Sequence, residues 1–473
     1  MASIRIAAPA LLLLLAGCVS GPDYKAPEIS LPGKYAEGGA KSVGADVSSV
    51  AWWTAFGDRK LNAYVDAGLD QNLDVQQALE RINSATSNVT VAGAGALPSL
   101  IAGAANTTSG QAGNLRTQFD TENSTSGQAS LSWLLDFFGE FRRSKESALA
   151  SLDAANALAD ASKLAFISDL TISYINARAF QERIALSNSD LKSRRETLQL
   201  TQFQLEAGAA SRLDVVQAEG LVDTTLAEIP ALETSFRTSV HHMATLLGLP
   251  APALLGEMLK GAPQPVARVP FNAGIPADVI RNRPDVRAAE RQLAAATAQI
   301  GVAEAQLYPS ISLSGNITPS VIHSSNNGGL TTWSFGPTLS LPILDGGLLG
   351  ANVQIAQSNA RGQYLAWKQT VLQAIEQVQN ALAALRRDGQ TVDALRASVK
   401  SAQEALELST ASYKDGASSL LDVLDAQRSV SDAQASLAQA IGQTATDYVN
   451  LNIAIGGGYN PAKPAVAAKK LTN

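Results

Sequence analysis

The sequence of 473 residues contains few of the residue types from which most catalytic and metal sites are built. A single cysteine and three histidines exclude a disulfide framework and leave little material for a His/Cys metal centre. Charged residues make up 16% of the chain, below the roughly 25% of ordinary soluble domains. The net charge is -6 without a dense run of Lys or Arg, which argues against nucleic acid as a partner. Neither Gly-x-Ser-x-Gly nor His-Glu-x-x-His occurs, so we expect no enzyme, no metal site and no cofactor other than a covalent lipid.

The amino terminus has the pattern of a bacterial secretory signal. Arg5 precedes an apolar run from Ile6 to Leu15, which is too short for a bilayer-spanning helix of about 20 residues. The run ends in Leu-Ala-Gly-Cys18, which resembles the cleavage box of bacterial lipoproteins, and Cys18 is the only cysteine. We therefore predict that residues 1–17 are removed and that Cys18 carries the lipid. An ordinary signal peptide with a chance cysteine is the alternative.

An internal repeat divides the chain into two similar halves. The octapeptide from Gly208 to Val215 returns, with substitutions, as Gly416 to Val423, 208 positions later. Each half is predicted to contain a helix, a strand pair, a very long helix, a Gly-Ala turn and a further helix. The predicted segments are a leader over 18–57, a first repeat over 58–248, a linker over 249–274, a second repeat over 275–455 and a tail over 456–473.

Two segments alternate apolar and polar residues with the period of a β-strand. They predict hairpins over 97–137 and 308–342, with strands at 97–107, 126–137, 308–318 and 331–342. Each strand has about ten residues, the length of a tilted strand that crosses a bilayer. Since an isolated hairpin leaves backbone groups unpaired at its edges, such strands in lipid must close a barrel with other copies of the chain.

Long helices are predicted over 139–206 and 346–414, and helical patterning also extends from near Asp58 to about Val91. In the second long segment, apolar side chains recur every seven residues from Tyr364 to Tyr413. A sustained seven-residue repeat indicates left-handed supercoiling of packed helices. We interpret this stripe as packing rather than as a cofactor site.

Three stretches of the chain resemble the TolC-like outer-membrane efflux channels, in particular the lipoprotein branch that serves RND-type pumps. They are Cys-Val-Ser-Gly-Pro-Asp-Tyr at 18–24, Trp52-Trp53, and Ile-Pro-Ala-Asp-Val-Ile-Arg-Asn-Arg-Pro-Asp-Val-Arg-Ala-Ala-Glu at 275–290. The resemblance implies a mainly α chain with membrane β structure that forms a homotrimer. Four strands from each chain would form a 12-stranded β-barrel above a long coiled α-helical barrel. The leader, the linker and the tail would form a small equatorial domain.

The resemblance also implies a function and partners. The protein would be a passive exit duct in the bacterial outer membrane that extends into the periplasm. It would export small molecules, such as drugs or toxic compounds, as part of a tripartite efflux system. An inner-membrane RND-type transporter would supply the energy, and a periplasmic adaptor would bridge the transporter to the duct.

The same resemblance implies a function for the residues of the two Gly-Ala turns. Gly208, Ala209, Gly416 and Ala417 would contact the adaptor. A second interpretation stays open, in which each glycine serves only as a permissive turn residue.

The resemblance places a pore constriction just beyond the second turn. Leu421, Asp422 and Asp425 would narrow the pore, and Tyr413 and Asp214 would belong to a lock that holds it closed. In a trimer, three copies of each carboxylate would repel one another and attract cations.

Two departures qualify these assignments. The arginine of the family lock is replaced by Ser418, so Arg212 is considered in its place. The acids Asp214 and Asp422 each stand three residues after a serine, which is the pattern of a capping box. A purely structural role for these two acids therefore stays open.

A lipid-anchored coiled-coil scaffold or adhesin without a pore is the alternative function. The composition and the heptads permit it. It leaves the duplicated hairpins and the recurring Gly-Ala turns unexplained.

Overall fold

The computed structural model describes residues 19–37, 50–115, 117, 121–267, 282–323 and 328–459. Cys18, the part of the 275–290 motif before 282, and the tail from 460 lie outside the described residues. The chain divides into two compact units. The first unit contains Met1–Ile29, Arg81–Ala155 and Ala288–Lys368, and the second contains Ser30–Glu80, Asn156–Arg287 and Gln369–Asn473.

Helices make up most of the described chain, and their lengths repeat between the halves. The α-helices are α1 (Arg59–Gln71), α2 (Leu73–Ala94), α3 (Glu140–Glu206), α4 (Arg212–Leu246), the short α5 (Leu255–Met258), α6 (Pro284–Ala305), α7 (Leu348–Lys414) and α8 (Leu420–Ala454), with 3-10 turns at Trp52–Phe56 and Ala251–Leu254. The equivalent helices α2 and α6 have 22 residues each, α3 and α7 have 67, and α4 and α8 have 35. None of the described helices combines the length and the apolar character needed to cross a membrane.

The helical patterning predicted from Asp58 to about Val91 is observed as two helices, α1 and α2, with a break at Asn72 that the pattern did not indicate. Asn72 has an extended backbone (φ -63°, ψ 126°) between α1 and α2. Its Oδ1 accepts a hydrogen bond from the Val75 amide at 3.0 Å, and its Nδ2 donates to the Leu246 carbonyl at 2.8 Å. A side chain that caps one helix and binds another stabilises the break, which apolar periodicity alone does not reveal.

The first unit contains a four-stranded antiparallel sheet. Its strands are β1 (Ser99–Ser109), β2 (Glu122–Leu135), β3 (Ser310–His323) and β4 (Gly328–Ser340), in that spatial order. The prediction of two strand pairs is therefore met by one sheet, because β2 pairs with β3 across the two halves. Within the chain, β1 and β4 are its edges.

The register gives the sheet one apolar and one polar face. Leu100 pairs with Leu131, which pairs with Gly315, and Gly315 pairs with Phe335, so this row shares one face. That face carries Leu100, Leu131, Trp133, Leu313, Ile317, Trp333 and Phe335, whereas the opposite face carries Ser99, Ser130, Ser132, Ser314, Asn316 and Ser334. Trp333 is 75% exposed and Phe335 is 66% exposed, so the described residues of the chain do not cover these two side chains of the apolar face.

The second unit has a buried aromatic core. Its members include Trp52, Trp53, Phe56, Tyr174 and Tyr448. The Trp52 ring nitrogen donates to the Gly457 carbonyl at 3.1 Å, so the chain before α1 packs beside the chain after α8. Residues of the leader and of the start of the tail thus share one core, and the equatorial domain stays a prediction.

The two Gly-Ala turns have the same geometry. Gly208 and Gly416 each have φ 73°, in the left-handed region. The amides of the residues that follow them, Ala209 and Ala417, donate to carbonyls five residues back at 2.8 Å in both turns. This is a Schellman-type helix end, in which glycine supplies the left-handed backbone.

We predict that Gly416→Ala destabilises the folded protein by about 1 kcal/mol, because a Cβ is strained in the left-handed region. Gly220→Ala is the matched control, since Gly220 lies inside α4 and, as at Gly416, an added Cβ would meet no atom within 4 Å. There the change should be neutral or stabilising by up to about 1 kcal/mol. Thermal unfolding of the detergent-purified proteins tests the opposite signs, and equal shifts would contradict the strain argument.

A buried carboxylate on α8 faces a second carboxylate on α7. Asp447 is 3% exposed, and its Oδ1 accepts from the Gln443 side chain at 2.9 Å. Its Oδ2 has no hydrogen-bond partner among the described residues. Burial, followed by the adjacent Asp388 carboxylate, raises the pKa of Asp447 to about 6.

A pH dependence of stability follows from this raised pKa. An unfolded Asp has a pKa of about 4, so between about pH 4 and pH 6 the folded chain binds more protons than the unfolded chain. Stability from Asp447 is therefore present at low pH and is lost as the pH rises through this window. In thermal scans, wild type should lose stability from pH 4 to 6 relative to Asp447→Asn. Asp432→Asn, at an exposed acid on α8, should show the same change of melting temperature with pH as wild type. If the melting temperatures of wild type and Asp447→Asn changed in parallel between pH 4 and 6, the raised pKa of Asp447 would be refuted.

Candidate functional site

The candidate site is the tip of the second unit, defined as residues 204–228 and 412–428. It contains both Gly-Ala turns and the first turns of α4 and α8. The repeat therefore places equivalent residues of the two halves in equivalent local structures.

Both acids three residues after a serine form reciprocal capping boxes. The Asp214 carboxylate accepts from the Ser211 amide at 2.8 Å, and the Asp214 amide donates to the Ser211 hydroxyl at 3.2 Å. The matching distances for Ser419 and Asp422 are 2.9 Å and 3.4 Å. Hydrogen bonds from the hydroxyl and the amide of Ser211 hold the pKa of Asp214 below its ordinary value. Asp214 and Asp422 thus stabilise the first turns of α4 and α8, independently of any further function.

A small apolar cluster lies beneath the turns. Ala218, Leu221, Leu420 and Leu424 are buried there, with Leu198 and Tyr413 packed against them. The cluster joins residues from both halves at the tip. It fixes the ring of Tyr413 beside the first turn.

The hydroxyl of Tyr413 binds Gln204 rather than Asp214. It donates to the Gln204 side-chain oxygen, and burial raises its pKa. The charge of Asp214 also raises this pKa. Arg212, considered in place of the missing lock arginine, pairs instead with Glu219, with 3.8 Å between its Nη2 and the Glu219 Oε2. The lock thus stays a prediction, with Gln204 as the observed partner of its tyrosine.

The predicted constriction residues lie on the exposed surface of the protomer. Leu421 is 48% exposed, and Leu213, its equivalent in the first repeat, is 64% exposed. Asp425 pairs with Arg428, one helical turn onward, at 2.8 Å. This ion pair was missed in the sequence, although a spacing of three on a helix is a signal for it.

A buried arginine was also missed. Arg194 is 6% exposed, and its guanidinium donates to the Leu221 carbonyl at 3.4 Å and to the Thr225 hydroxyl. It stands three residues after Leu191 and four before Leu198, which is seam spacing on a coiled helix. A charge at such a position is a signal that α3 and α4 are joined by polar contacts as well as by packing.

The described residues bring no three His, Cys, Asp or Glu side chains together in a set that could hold a metal ion. What the arrangement offers is a sheet with one apolar face, very long helices, and a tip with exposed Leu421 and Asp425. Such elements can form the wall of a channel and a constriction within it.

Comparisons with known proteins agree with these parts. The family model for outer membrane efflux proteins matches residues 65–249 and 275–457. The chain is 58% identical over 471 residues to nodulation protein T of Rhizobium leguminosarum bv. viciae, covering 99% of this chain and 96% of the relative. It is 30% identical over 456 residues to the antibiotic efflux pump outer membrane protein ArpC of Pseudomonas putida, covering 94% of each.

The fold agrees with a solved channel. The structure of the outer-membrane channel OprN superposes with a TM-score of 0.85 at 29% identity, covering 94% of this chain and 100% of that one. This similarity confirms the mainly α fold with membrane β structure. The chain therefore belongs to the outer membrane efflux protein family, TolC-like channels of the outer membrane that act as passive ducts and not as enzymes.

Proposed function

We propose that this protein is the exit duct of a tripartite efflux system and that three copies form the channel. The observation that carries the proposal is the two-faced sheet with open edges at β1 and β4. An apolar outer face and a polar inner face are the pattern of a transmembrane barrel wall. A scaffold or adhesin would have no use for such a wall.

The size of the barrel supports a trimer. Four strands per chain give eight strands in a dimer and 12 in a trimer. Eight strands enclose a space that side chains fill, whereas larger barrels leave a lumen. Pairing β4 of one copy with β1 of the next removes every open edge.

Partners and cargo follow from the family. A periplasmic adaptor would contact Gly208, Ala209, Gly416 and Ala417, and an RND-type inner-membrane transporter would drive transport. The name of the antibiotic efflux pump relative supports antibiotics as cargo, and the name of nodulation protein T suggests that this protein could export compounds that act in nodulation.

The constriction at the tip would be formed by Leu421 and Asp425, with Asp422 as a weaker member because its carboxylate already caps α8. Three Asp425 carboxylates around one axis would bind cations. The pair with Arg428 lowers that affinity, since each carboxylate already has a cation at 2.8 Å.

We expect millimolar divalent cations to block the pore from the tip side in planar bilayers. The double variant Leu421→Ala, Asp425→Asn should conduct more and lose the block, because it removes both the large apolar side chain and the negative charge at the constriction. Asp393→Asn is the matched control, since Asp393 is an exposed acid of α7 that also pairs with an arginine three residues onward, at 3.0 Å. Pores that resist divalents in wild type, or a double variant with unchanged conductance, would refute this constriction.

We also propose that the protein is anchored by a lipid on Cys18 after loss of residues 1–17. Intact-mass measurement of the purified protein should show the acyl mass, and Cys18→Ser with a standard signal peptide should lack it. The Cys18→Ser protein should stay in the outer-membrane fraction after salt and alkaline washing, because its barrel still holds it. Release into the soluble fraction would instead favour the lipid-anchored scaffold.

A further inference from the structure

The first described residues of the chain, the strap (residues 19–24), are held in the first unit at the junction of β2 and α3. The Ser20 amide donates to the Phe138 carbonyl at 2.9 Å. Val19 packs against Gly139, where an added Cβ would lie 2.7 Å from its Cγ1. The strap therefore begins directly beside the residues that join the sheet to the long helix.

A buried arginine binds the strap from the other side. The Arg143 side chain is 5% exposed. Its guanidinium donates to the Ser20 carbonyl at 3.0 Å, to the Gly21 carbonyl at 3.1 Å and to the Asp23 carboxylate at 2.8 Å. Three bonds from one rigid guanidinium fix the path of the backbone.

Two glycines allow the backbone of the strap to pack closely against the backbone of α6. Gly21 has φ 85°, and a Cβ there would collide with the Gly301 Cα. A Cβ on Gly301 would in turn lie 2.7 Å from the Ser20 carbonyl oxygen. Further along, the Tyr24 hydroxyl donates to Glu290, and the Arg291 guanidinium lies 5.5 Å from the centre of the Tyr24 ring. The strap is thus an integral part of the first unit.

A cavity of about 380 Å³ opens at the same junction. Phe138, whose carbonyl holds the strap, also lines the cavity with its ring, which stacks on Tyr308 at 4.7 Å. The other apolar walls are Leu134, Phe137, Phe141 and Leu349. The carboxylates of Asp136 and Glu140 also line it.

We propose that this cavity binds an acyl chain of the lipid carried by Cys18. The inference rests on the lipid anchor proposed above. The lipid would be attached one residue before Val19, which packs against Gly139, the residue between the lining residues Phe138 and Glu140. The aromatic walls suit a hydrocarbon chain. Asp136 forms an ion pair with Arg142 at 3.4 Å, and Glu140 adds a further negative charge at the cavity. This charge disfavours the anionic headgroup of a free phospholipid, whereas the diacylglyceryl group of a lipoprotein carries no charge.

Photo-crosslinking tests the proposal on the full protein in its membrane. Cells are grown with a fatty acid that carries a diazirine and an alkyne, so that the label enters the lipid on Cys18. Because the label also enters phospholipids, mass spectrometry after irradiation and purification counts only the adducts that join a peptide of the protein to the peptide that contains Cys18. We expect adducts on peptides that contain residues 134–141 and 305–310.

Two variants separate the cavity from general proximity to lipid. Leu349→Trp fills the cavity and should abolish these adducts while the acyl mass on Cys18 is retained. Arg143→Ala frees the strap and should disperse the adducts, whereas Arg361→Ala, at an exposed arginine of the same unit, should leave them unchanged. An acylated wild type whose adducts fall elsewhere, or an unchanged pattern in Leu349→Trp, would overturn this inference alone. Absence of the acyl mass would overturn the anchor and this inference together.

Discussion

Hydrogen bonding of the backbone at the two sheet edges is the constraint on which the structure depends. In lipid, every N–H and C=O of β1 and β4 must find a partner, because water is absent. One chain cannot meet this requirement, since its sheet ends at these two strands. The first unit is thus complete only when further copies supply the missing strands. In the chain, α3 follows β2 and α7 follows β4, so the two parts of the family's fold, a barrel in the membrane and a tunnel of helices, are formed by consecutive elements.

The two halves share a plan but differ where the pore would narrow. Position 425 in the second half corresponds to Gln217 in the first, and Arg428 corresponds to Gly220. The ion pair between Asp425 and Arg428 therefore has no counterpart in the first half. The capping boxes, in contrast, occur in both halves. Features needed to fold each helix were kept in duplicate, whereas the exposed charge is found once, as expected if only one helix pair lines the constriction.

Sequence periodicity predicted the helices and strands, because each of them depends on the residues of a single segment. The helices expected over 139–206 and 346–414 are observed as α3 (Glu140–Glu206) and α7 (Leu348–Lys414), and the strands differ by a few residues at their ends. The break at Asn72 was missed because its cause is a hydrogen bond to Leu246, far along the chain. Likewise, Gln204 was not recognised as the partner of Tyr413, since that contact depends on how two helices are rotated against each other. Side-chain partners between elements are set by packing, which a linear pattern does not contain.

The junction of β2 and α3 links the leader to the membrane sheet. Phe138 ends the connection from the strand, accepts the strap through its carbonyl and stacks on Tyr308, which precedes β3. Glycine is required at 21 and 301 because two backbones approach too closely for any side chain. A leader that only tethered the protein would need no such fit, and a flexible tether would be satisfied by almost any sequence. The close fit therefore indicates that residues 19–24 are positioned relative to the sheet, so that one set of contacts determines both where the sheet ends and where these residues lie.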